Sequence, residues 1–393
     1  MTNYDGLFNK EYFGNRLNEN HFFDKKIYFR IIENGTILPS KFIDGVSFGF
    51  GGIVDEKWNF IKNSVVSKGL EGPYTPNEDI AYEDSTAIYL GMLVGVWGHS
   101  ITDNLKHAWF FNSEVYNRHF KNCPIAYIPW EGGGIVHNLA KLMTILEINP
   151  DKLYPVTKPV KFRNIIIPDE SFFDESGKKF FTDEYRQTID RIRSFAKKNL
   201  SPTANKKFYL FHGSNRIGEE RLANYFHSKG YDIVTPGLLP LEEQLNIFAN
   251  CEELASTVGS ISHNIIFLRD NANVILIQRK GSYLNDYQQA LNQVHDINVF
   301  YIDSALSIFQ SVSEGPYCYI VSENLRKHFG DEITEKYTEE DFAAFLAYFR
   351  VAKSQGLVEN PNEMEYLKTI LPEFIAQLKT HEDLMQKFGI VVK

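Results

Sequence analysis

Apolar residues recur along this chain with two distinct periods. Between 207 and 278, short aromatic and β-branched runs at 207–212, 231–235, 254–258 and 274–278 alternate with stretches at 219–229, 241–250 and 263–269 whose apolar residues return every three or four positions. The first pattern is that of strands buried on both faces, the second that of amphipathic helices. Their regular alternation predicts a parallel sheet covered by helices on both sides.

The first half keeps this rhythm less strictly. Residues 27–66 alternate the runs IYFRII, VSFGF and WNFI with turn signals at Glu33-Asn34-Gly35 and Gly51-Gly52, which reads as a small sheet. The apolar run 87–96 predicts a buried strand, followed by an amphipathic helix from His99 to about Tyr116. A strand at 125–129, a glycine-rich turn at 131–134 and a helix at 136–146 come next. A strand at 163–167 and a polar helix at 183–199, stopped by Ser201-Pro202, complete this half. A boundary therefore falls near 200–206. Beyond 335 the periodicity is helical, at 339–354 and at 362–378, with Pro372 dividing the second stretch.

The chain has 393 residues, enough for two domains. Its 43% hydrophobic and 23% charged residues are those of an ordinary globular protein, and the 31 Phe and 21 Tyr are expected mostly in the core. A net charge of −9 without a basic stripe excludes nucleic acid as the expected partner. Cys123, Cys251 and Cys318 are odd in number and widely spaced, which fits a reducing compartment better than a disulfide framework. The charged N-terminal segment does not resemble a secretion signal, and no apolar run reaches the ~18 residues of a membrane span. A cytoplasmic protein, peripheral at the inner membrane face at most, is expected.

Phosphate-loop, dinucleotide-binding, serine-hydrolase and zinc-protease motifs are all missing, as is the Asp-x-Asp pair that holds a metal on a sugar donor. A site for phosphate must then use other positive groups. In LASTVGSISHNIIFL, residues 254–268, a strand runs into a small-residue turn and then a short helix. Gly259 frees the backbone, and Ser260, Ser262, His263 and Asn264 offer hydrogen bonds beside a helix N-terminus, an arrangement suited to phosphate. Ser262 as a plain helix cap is the alternative. In FHGSNRIGEERLANYF, residues 211–226, His212, Arg216 and Arg221 follow a strand, and a guanidinium there can neutralise a diphosphate. Arg221 equally suits a pair with Glu219 or Glu220.

His99, Asp103 and His107 recur at helical spacing, so one helix face would carry two imidazoles and a carboxylate. A His oriented by Asp is suited to removing a hydroxyl proton near neutral pH; a surface ion pair and a metal site are the alternatives. Trp130, Glu131 and Gly133 form a candidate acceptor loop in which the Trp stacks on a sugar ring, unless it is a core residue. Glu242, after Pro240, either binds ribose hydroxyls or favours its helix N-terminus.

Taken in order, the segments from about 51 to 278 resemble glycosyltransferase family 61, which includes capsular polysaccharide biosynthesis proteins. GGIVDEKWNFIKNS is similar to the family's lead-in, Gly98-His99 with Asp103 to its His-to-Asp motif, and Arg216, Arg221 and Asn224 to its Arg-rich segment. Gln244 and the pair Gly259 and Asn264 resemble the motifs that follow. Val258, Ser260 and His263 stand where that last motif has His, Ala and Thr. The resemblance implies an α/β fold of two Rossmann-like domains facing a cleft, GT-B-like, and an inverting, metal-independent transfer needing no cofactor.

The expected division is an acceptor-binding domain at 1–200, a nucleotide-sugar-binding domain at 201–335, and helices at 336–393 returning to the first domain. Catalysis is expected at His99 and Asp103. His212, Arg216, Arg221, Glu242, Gln244, Gly259, Ser260, Ser262, His263 and Asn264 are expected on the donor, and Trp130, Glu131 and Gly133 on the acceptor. Expected partners are a nucleotide sugar and an oligosaccharide or polysaccharide acceptor, lipid-linked or free, with a homodimer left open. Transfer of a glycerol phosphate or pyruvyl group on the same fold, or binding of a nucleotide sugar without turnover, are the other readings.

Overall fold

The computed structural model describes residues 2–7, 14–42, 49–64, 72–130, 135, 137–199, 201, 203–213, 216–279, 284–309, 315–358, 372–378 and 380. Two sheets organise them. Strand β1 (Thr2–Gly6) belongs to the second sheet. The first, eight-stranded sheet contains β2 (Phe29–Glu33), β3 (Thr36–Lys41), β4 (Phe50–Val54), β5 (Phe60–Ile61), β6 (Ala81–Leu93), β7 (Ile125–Pro129), β8 (Leu153–Pro155) and β9 (Val160–Pro168). Strands β9, β6, β7 and β8 run parallel, while β2, β3, β4 and β5 add antiparallel pairings. The first sheet is thus mixed. In β6 only the stretch from Ala87 onward is fully buried, so the apolar run in the sequence marks the part of the strand lying between two layers.

The helix expected from His99 to Tyr116 is much shorter. Helix α1 (Trp97–Ile101) stops at Thr102, whose hydroxyl donates back to Gly98 O at 2.8 Å. The Asn104 amide then pairs with Val94 as a neighbouring strand would, accepting from its N–H at 3.1 Å and donating to its carbonyl at 2.9 Å. That pairing draws the chain back to the sheet edge and prevents further helical turns. Helix α2 (His137–Ile145) follows β7, and β10 (Phe172–Glu175) with β11 (Lys178–Phe181) forms a hairpin. Helix α3 (Asp183–Asn199) has the predicted bounds, with acidic residues in its first turn and Lys197 and Lys198 in its last, complementing the helix dipole.

The second half follows the predicted alternation closely. Elements β12 (Lys207–Leu210), α4 (Glu219–Ser228), β13 (Asp232–Val234), α5 (Leu241–Asn250), β14 (Glu253–Thr257), β15 (Asn273–Gln278), α6 (Asp286–Leu291) and β16 (Asn298–Asp303) build a six-stranded sheet. Its order is β1-β16-β15-β14-β12-β13 and every pairing is parallel. Helices α7 (Glu323–His328), α8 (Glu339–Ser354) and α9 (Pro372–Leu378) follow; the part of the expected 362–378 helix before Pro372 lies outside the described residues.

Two expectations about domain organisation need correction. β1 lies beside β16, so the start of the chain completes the second sheet rather than the first. Helices α8 and α9 do not return to the first domain: Phe342, Phe345 and Phe374 pack with Leu306, Cys318 and Ile320 of the second half. Apolar complementarity decides this placement, because the extended segment after β16 exposes a face that these aromatics bury. One apolar cluster also joins the two halves, running from Ile88, Leu90 and Ile101 through Tyr185 and Ile189 to Leu254, Leu276 and Val299. Among the described residues no helix is long and apolar enough to cross a membrane.

Candidate active site

The parallel strands of the second sheet end beside α1 of the first half, and glycine makes the contact close. A Cβ on Gly98 would lie 2.9 Å from Ser260 Oγ and 3.2 Å from His263 Nδ1, so a side chain there would push the halves apart. Trp97 reaches across to donate its indole N–H to Asn264 Oδ1 at 2.9 Å. A cavity of about 460 Å³ opens at this junction. Gly95, Trp97 and Asn138 line it from one side; Phe211, His212, Pro236, Gln244 and Ser260 do so from the other.

The turn after β14 differs from the expected phosphate cradle. The segment from Ser262 to Phe267 is a short 3-10 turn, and its polar groups are largely engaged within the protein. Ser262 Oγ accepts from Gly259 N–H at 2.9 Å and lies 2.5 Å from Gln288 Oε1, while the Asn264 amide donates to Ile261 O at 2.9 Å. Ser262 therefore shapes the turn, whereas Asn264 both braces it and lines the cavity. Among the described residues, the backbone N–H groups left over in it are those of Ser260 and Ile261, both on the cavity wall.

Positive charge comes instead from two arginines. Arg216 is buried, donates to Thr257 Oγ1 at 2.8 Å and has its guanidinium 5.4 Å from the Tyr317 ring centroid. Arg279, the first residue after β15, lies 5.0 Å from the same ring and donates to the Tyr317 hydroxyl at 3.2 Å. It crosses directly over Gly259, where a Cβ would sit 1.4 Å from its Nη2 and where φ is +148°. Glycine at 259 thus makes room for the guanidinium. Neither arginine has a carboxylate ion-pair partner among the described residues, and the buried Arg279 Nε lacks a hydrogen-bond partner there. His212 joins this pair to the cavity: burial and the charges of Arg216 and Arg279 hold its ring well below the usual range, at about 4.

Sequence reasoning did not single out Arg279, although it occupies the kind of position, just past a parallel strand, that the open-sheet rule favours. Glu219 was seen only as a partner for Arg221. It is buried beneath the arginines, accepts from His212 N–H at 3.2 Å and from Thr257 Oγ1 at 3.4 Å, and burial pushes its carboxyl up.

In the first half, two residues from Trp97, His99 Nδ1 donates to Asp103 Oδ2 at 2.6 Å. Asp103 is fully buried; that burial opposes its charge, but the hydrogen bond from His99 and the positive charges of His99, Lys179 and Lys106 hold it at about 2. Its carboxylate therefore orients His99 across the whole neutral range. His107 departs from this pair because α1 ends early: its Nδ1 lies 3.1 Å from Leu90 O, buried beside Tyr89. Tyr287, which the sequence reading did not identify, reaches Asp103 Oδ2 from the second half at 3.2 Å.

The other expected site residues take other places. Arg221 leaves the donor group: it pairs with the buried Asp341 and donates to Thr338 Oγ1 at 2.8 Å, both at the start of α8. Glu242 forms a 2.5 Å ion pair with Lys141 of α2. Gln244 donates to Leu239 O at 2.9 Å and shapes the cavity wall. His263 is buried, stacks on Tyr287 at 6.1 Å, and is held at about 3 by burial and then by the charges of Arg279 and His99. Trp130 packs against the cluster containing Met92 and Ile128, a core role. Glu131 and Gly133 lie outside the described residues.

The site thus joins a parallel sheet whose strand ends carry two neighbouring guanidiniums to an Asp-oriented His of the first half. Residues 97–275 match the family Glycosyltransferase 61. No curated protein matches the chain. Two solved structures are similar over most of its length. One is the dodecameric iron-containing heptosyltransferase TibC in complex with ADP-D-beta-D-heptose, at 12% identity over 85% of this chain and 95% of that one, with a TM-score of 0.27. The other is the iron-containing dodecameric glycosyltransferase TibC from enterotoxigenic E. coli H10407, at 11% identity over 76% and 85%, also with a TM-score of 0.27. The chain carries a glycosyltransferase family 61 domain spanning residues 97–275, and it is a glycosyltransferase.

Proposed function

We propose that this glycosyltransferase is inverting and metal-independent, takes its sugar from a nucleoside-diphosphate donor on the second sheet, and delivers it to an acceptor on the first. In this reading the two sheets act as the Rossmann-like halves of a GT-B-like enzyme. One observation carries it: Arg216 and Arg279 converge on the Tyr317 ring without carboxylate partners, beside a cavity of nucleoside size. Two fixed guanidiniums match the charge of a diphosphate, and the Ser260 and Ile261 N–H groups extend the same surface.

The chemistry follows from the first half of the molecule. His99 Nε2 accepts the proton of an acceptor hydroxyl while Asp103 holds the ring from behind. The acceptor oxygen bonds to the anomeric carbon as the bond from that carbon to the donor phosphate oxygen breaks. The electron pair leaves with the nucleoside diphosphate, whose developing charge Arg216 and Arg279 stabilise. A single displacement of this kind inverts the anomeric centre. In this reading the acceptor is a growing capsular or other surface glycan, reached from the cytoplasmic face, either free or on a lipid carrier.

A panel of nucleotide sugars, assayed for nucleoside diphosphate release with and without chelator, tests this reading. Release that survives chelation and collapses in Arg216→Ala and Arg279→Ala is expected. Release that requires an added divalent cation, or that persists in both variants, contradicts it. His99→Ala should lower kcat while leaving donor binding intact.

A further inference from the structure

The His99–Asp103 pair lies on the first half of the molecule, yet the carboxylate is also held from the second. Tyr287, on α6, donates its hydroxyl to Asp103 Oδ2 at 3.2 Å, the same oxygen that receives the His99 N–H. Its ring is fixed on both sides: it stacks on Phe172 at 5.9 Å with a 23° interplanar angle and on His263 at 6.1 Å with 21°. The Lys179 ammonium lies 4.3 Å from its centroid, and the His99 ring meets it edge-on at 6.1 Å. The phenol has little freedom to turn away.

Helix α6 also supports the donor side. Gln288, next in sequence, meets Ser262 Oγ, the group that closes the Gly259 turn. Asn285 caps α6 by accepting from Gln288 N–H at 3.1 Å, and Asp286 is tied to Arg16 at 3.0 Å. Adjacent residues of one short helix thus hold the donor turn and the carboxylate behind the base. We infer that Tyr287 is a positioning residue for proton removal: it fixes the Asp103 carboxylate so that His99 presents Nε2 to the acceptor, and it links base orientation to the docking of the second half. The inference rests on the reading of His99 as the base.

Tyr287→Phe keeps the stacked ring and removes only the hydroxyl. The groups facing Asp103 include His99, Lys106 and the Thr102 hydroxyl on its own segment, Lys179 on β11, Tyr185 on α3, and His263 and Tyr287 from the second half. With one donor removed, the carboxylate is held less firmly and the His99 Nδ1–H bond to it loosens. Histidine-selective 15N NMR of the full chain, with His99 assigned from His99→Gln, reads the Nδ1–H tautomer and the exchange of that proton without any substrate. Nucleoside diphosphate release from the nucleotide-sugar panel reads its consequence.

The expected result is a several-fold faster exchange of the His99 Nδ1 proton and a smaller share of the Nδ1–H tautomer. A roughly tenfold fall in kcat should accompany it, with KM for the donor within about twofold. In a His99→Ala background, Tyr287→Phe should change nothing further. An unchanged His99 tautomer and proton exchange with wild-type turnover overturns the inference. So does a loss of activity explained by a lower melting temperature or weaker donor binding. If His99→Ala itself turns over at the wild-type rate, the base assignment fails and Tyr287 loses its role with it. A silent Tyr287→Phe beside an inactive His99→Ala removes Tyr287 alone.

Discussion

The loop before α4 and the helix itself each present an arginine, and the structure gives the two opposite surroundings. Arg221, on the helix, meets Asp341 and Thr338 and fastens α8 to the second half. Arg216, in the loop, donates to a neutral hydroxyl and lies over an aromatic face, with the Glu219 carboxylate near but not ion-paired to it, and Arg279 arrives from another strand to share that ring. A guanidinium whose charge is met inside the protein serves architecture. Two placed side by side without a carboxylate partner cost stability unless an anion completes them. The family-like Arg segment therefore divides into one anchoring residue and one that the proposed reading assigns to the donor, and Gly259 leaves room for Arg279.

The largest separation between these regions is expected in donor kinetics. Arg216→Ala or Arg279→Ala each removes hydrogen bonds to a charged ligand worth about 2 kcal/mol or more, so donor kcat/KM should fall roughly 30- to 100-fold with little change in melting temperature. Gly259→Ala tests the same site through the backbone. A methyl group 1.4 Å from Arg279 Nη2 must displace it, and donor affinity should drop about tenfold or more, approaching Arg279→Ala.

Arg221→Ala should behave in the opposite way. It strands the buried Asp341 carboxylate, lowering unfolding free energy by about 2 kcal/mol, discounted because Arg221 is partly exposed, while donor KM stays within about twofold. The smallest effect is on proton uptake. His263 is depressed to about 3, so between the ordinary imidazole range near 6.5 and pH 3 the unfolded chain binds a proton that the folded one refuses. Stability should fall as pH drops through that window. Arg279→Ala raises the folded value and lessens the fall, by on the order of 1 kcal/mol at pH 4 in denaturant titrations, whereas Arg221→Ala leaves the slope unchanged.

How much of this was legible in the sequence varies from residue to residue. The second sheet was, because strands buried on both faces and amphipathic helices leave strong periods; α3, α5 and α8 have their predicted bounds. The His99–Asp103 contact was also foreseen, although from a helix that ends at Ile101, before it reaches Asp103. The reason for that ending, the Asn104 amide pairing with Val94, is a tertiary hydrogen bond with no local signature. β1 joined the second sheet unseen because a five-residue edge strand carries no period of its own. Tyr287 and Arg279 escaped for a related reason: each acts on a residue distant in the chain, and only packing brings them together. Arg279 at least followed a predicted strand, whereas nothing local marks Tyr287.

The central claim is that Arg216 and Arg279 hold the diphosphate of the donor. Calorimetric titration of the wild-type chain, Arg216→Ala, Arg279→Ala and Arg221→Ala with UDP, GDP, ADP and CDP, and with the matching nucleosides, tests it most directly. The account predicts that at least one diphosphate binds the wild-type chain and Arg221→Ala alike, binds each of the other two variants at least tenfold more weakly, and exceeds its nucleoside in affinity only when both arginines are present. Equal binding by wild type, Arg216→Ala and Arg279→Ala would contradict it.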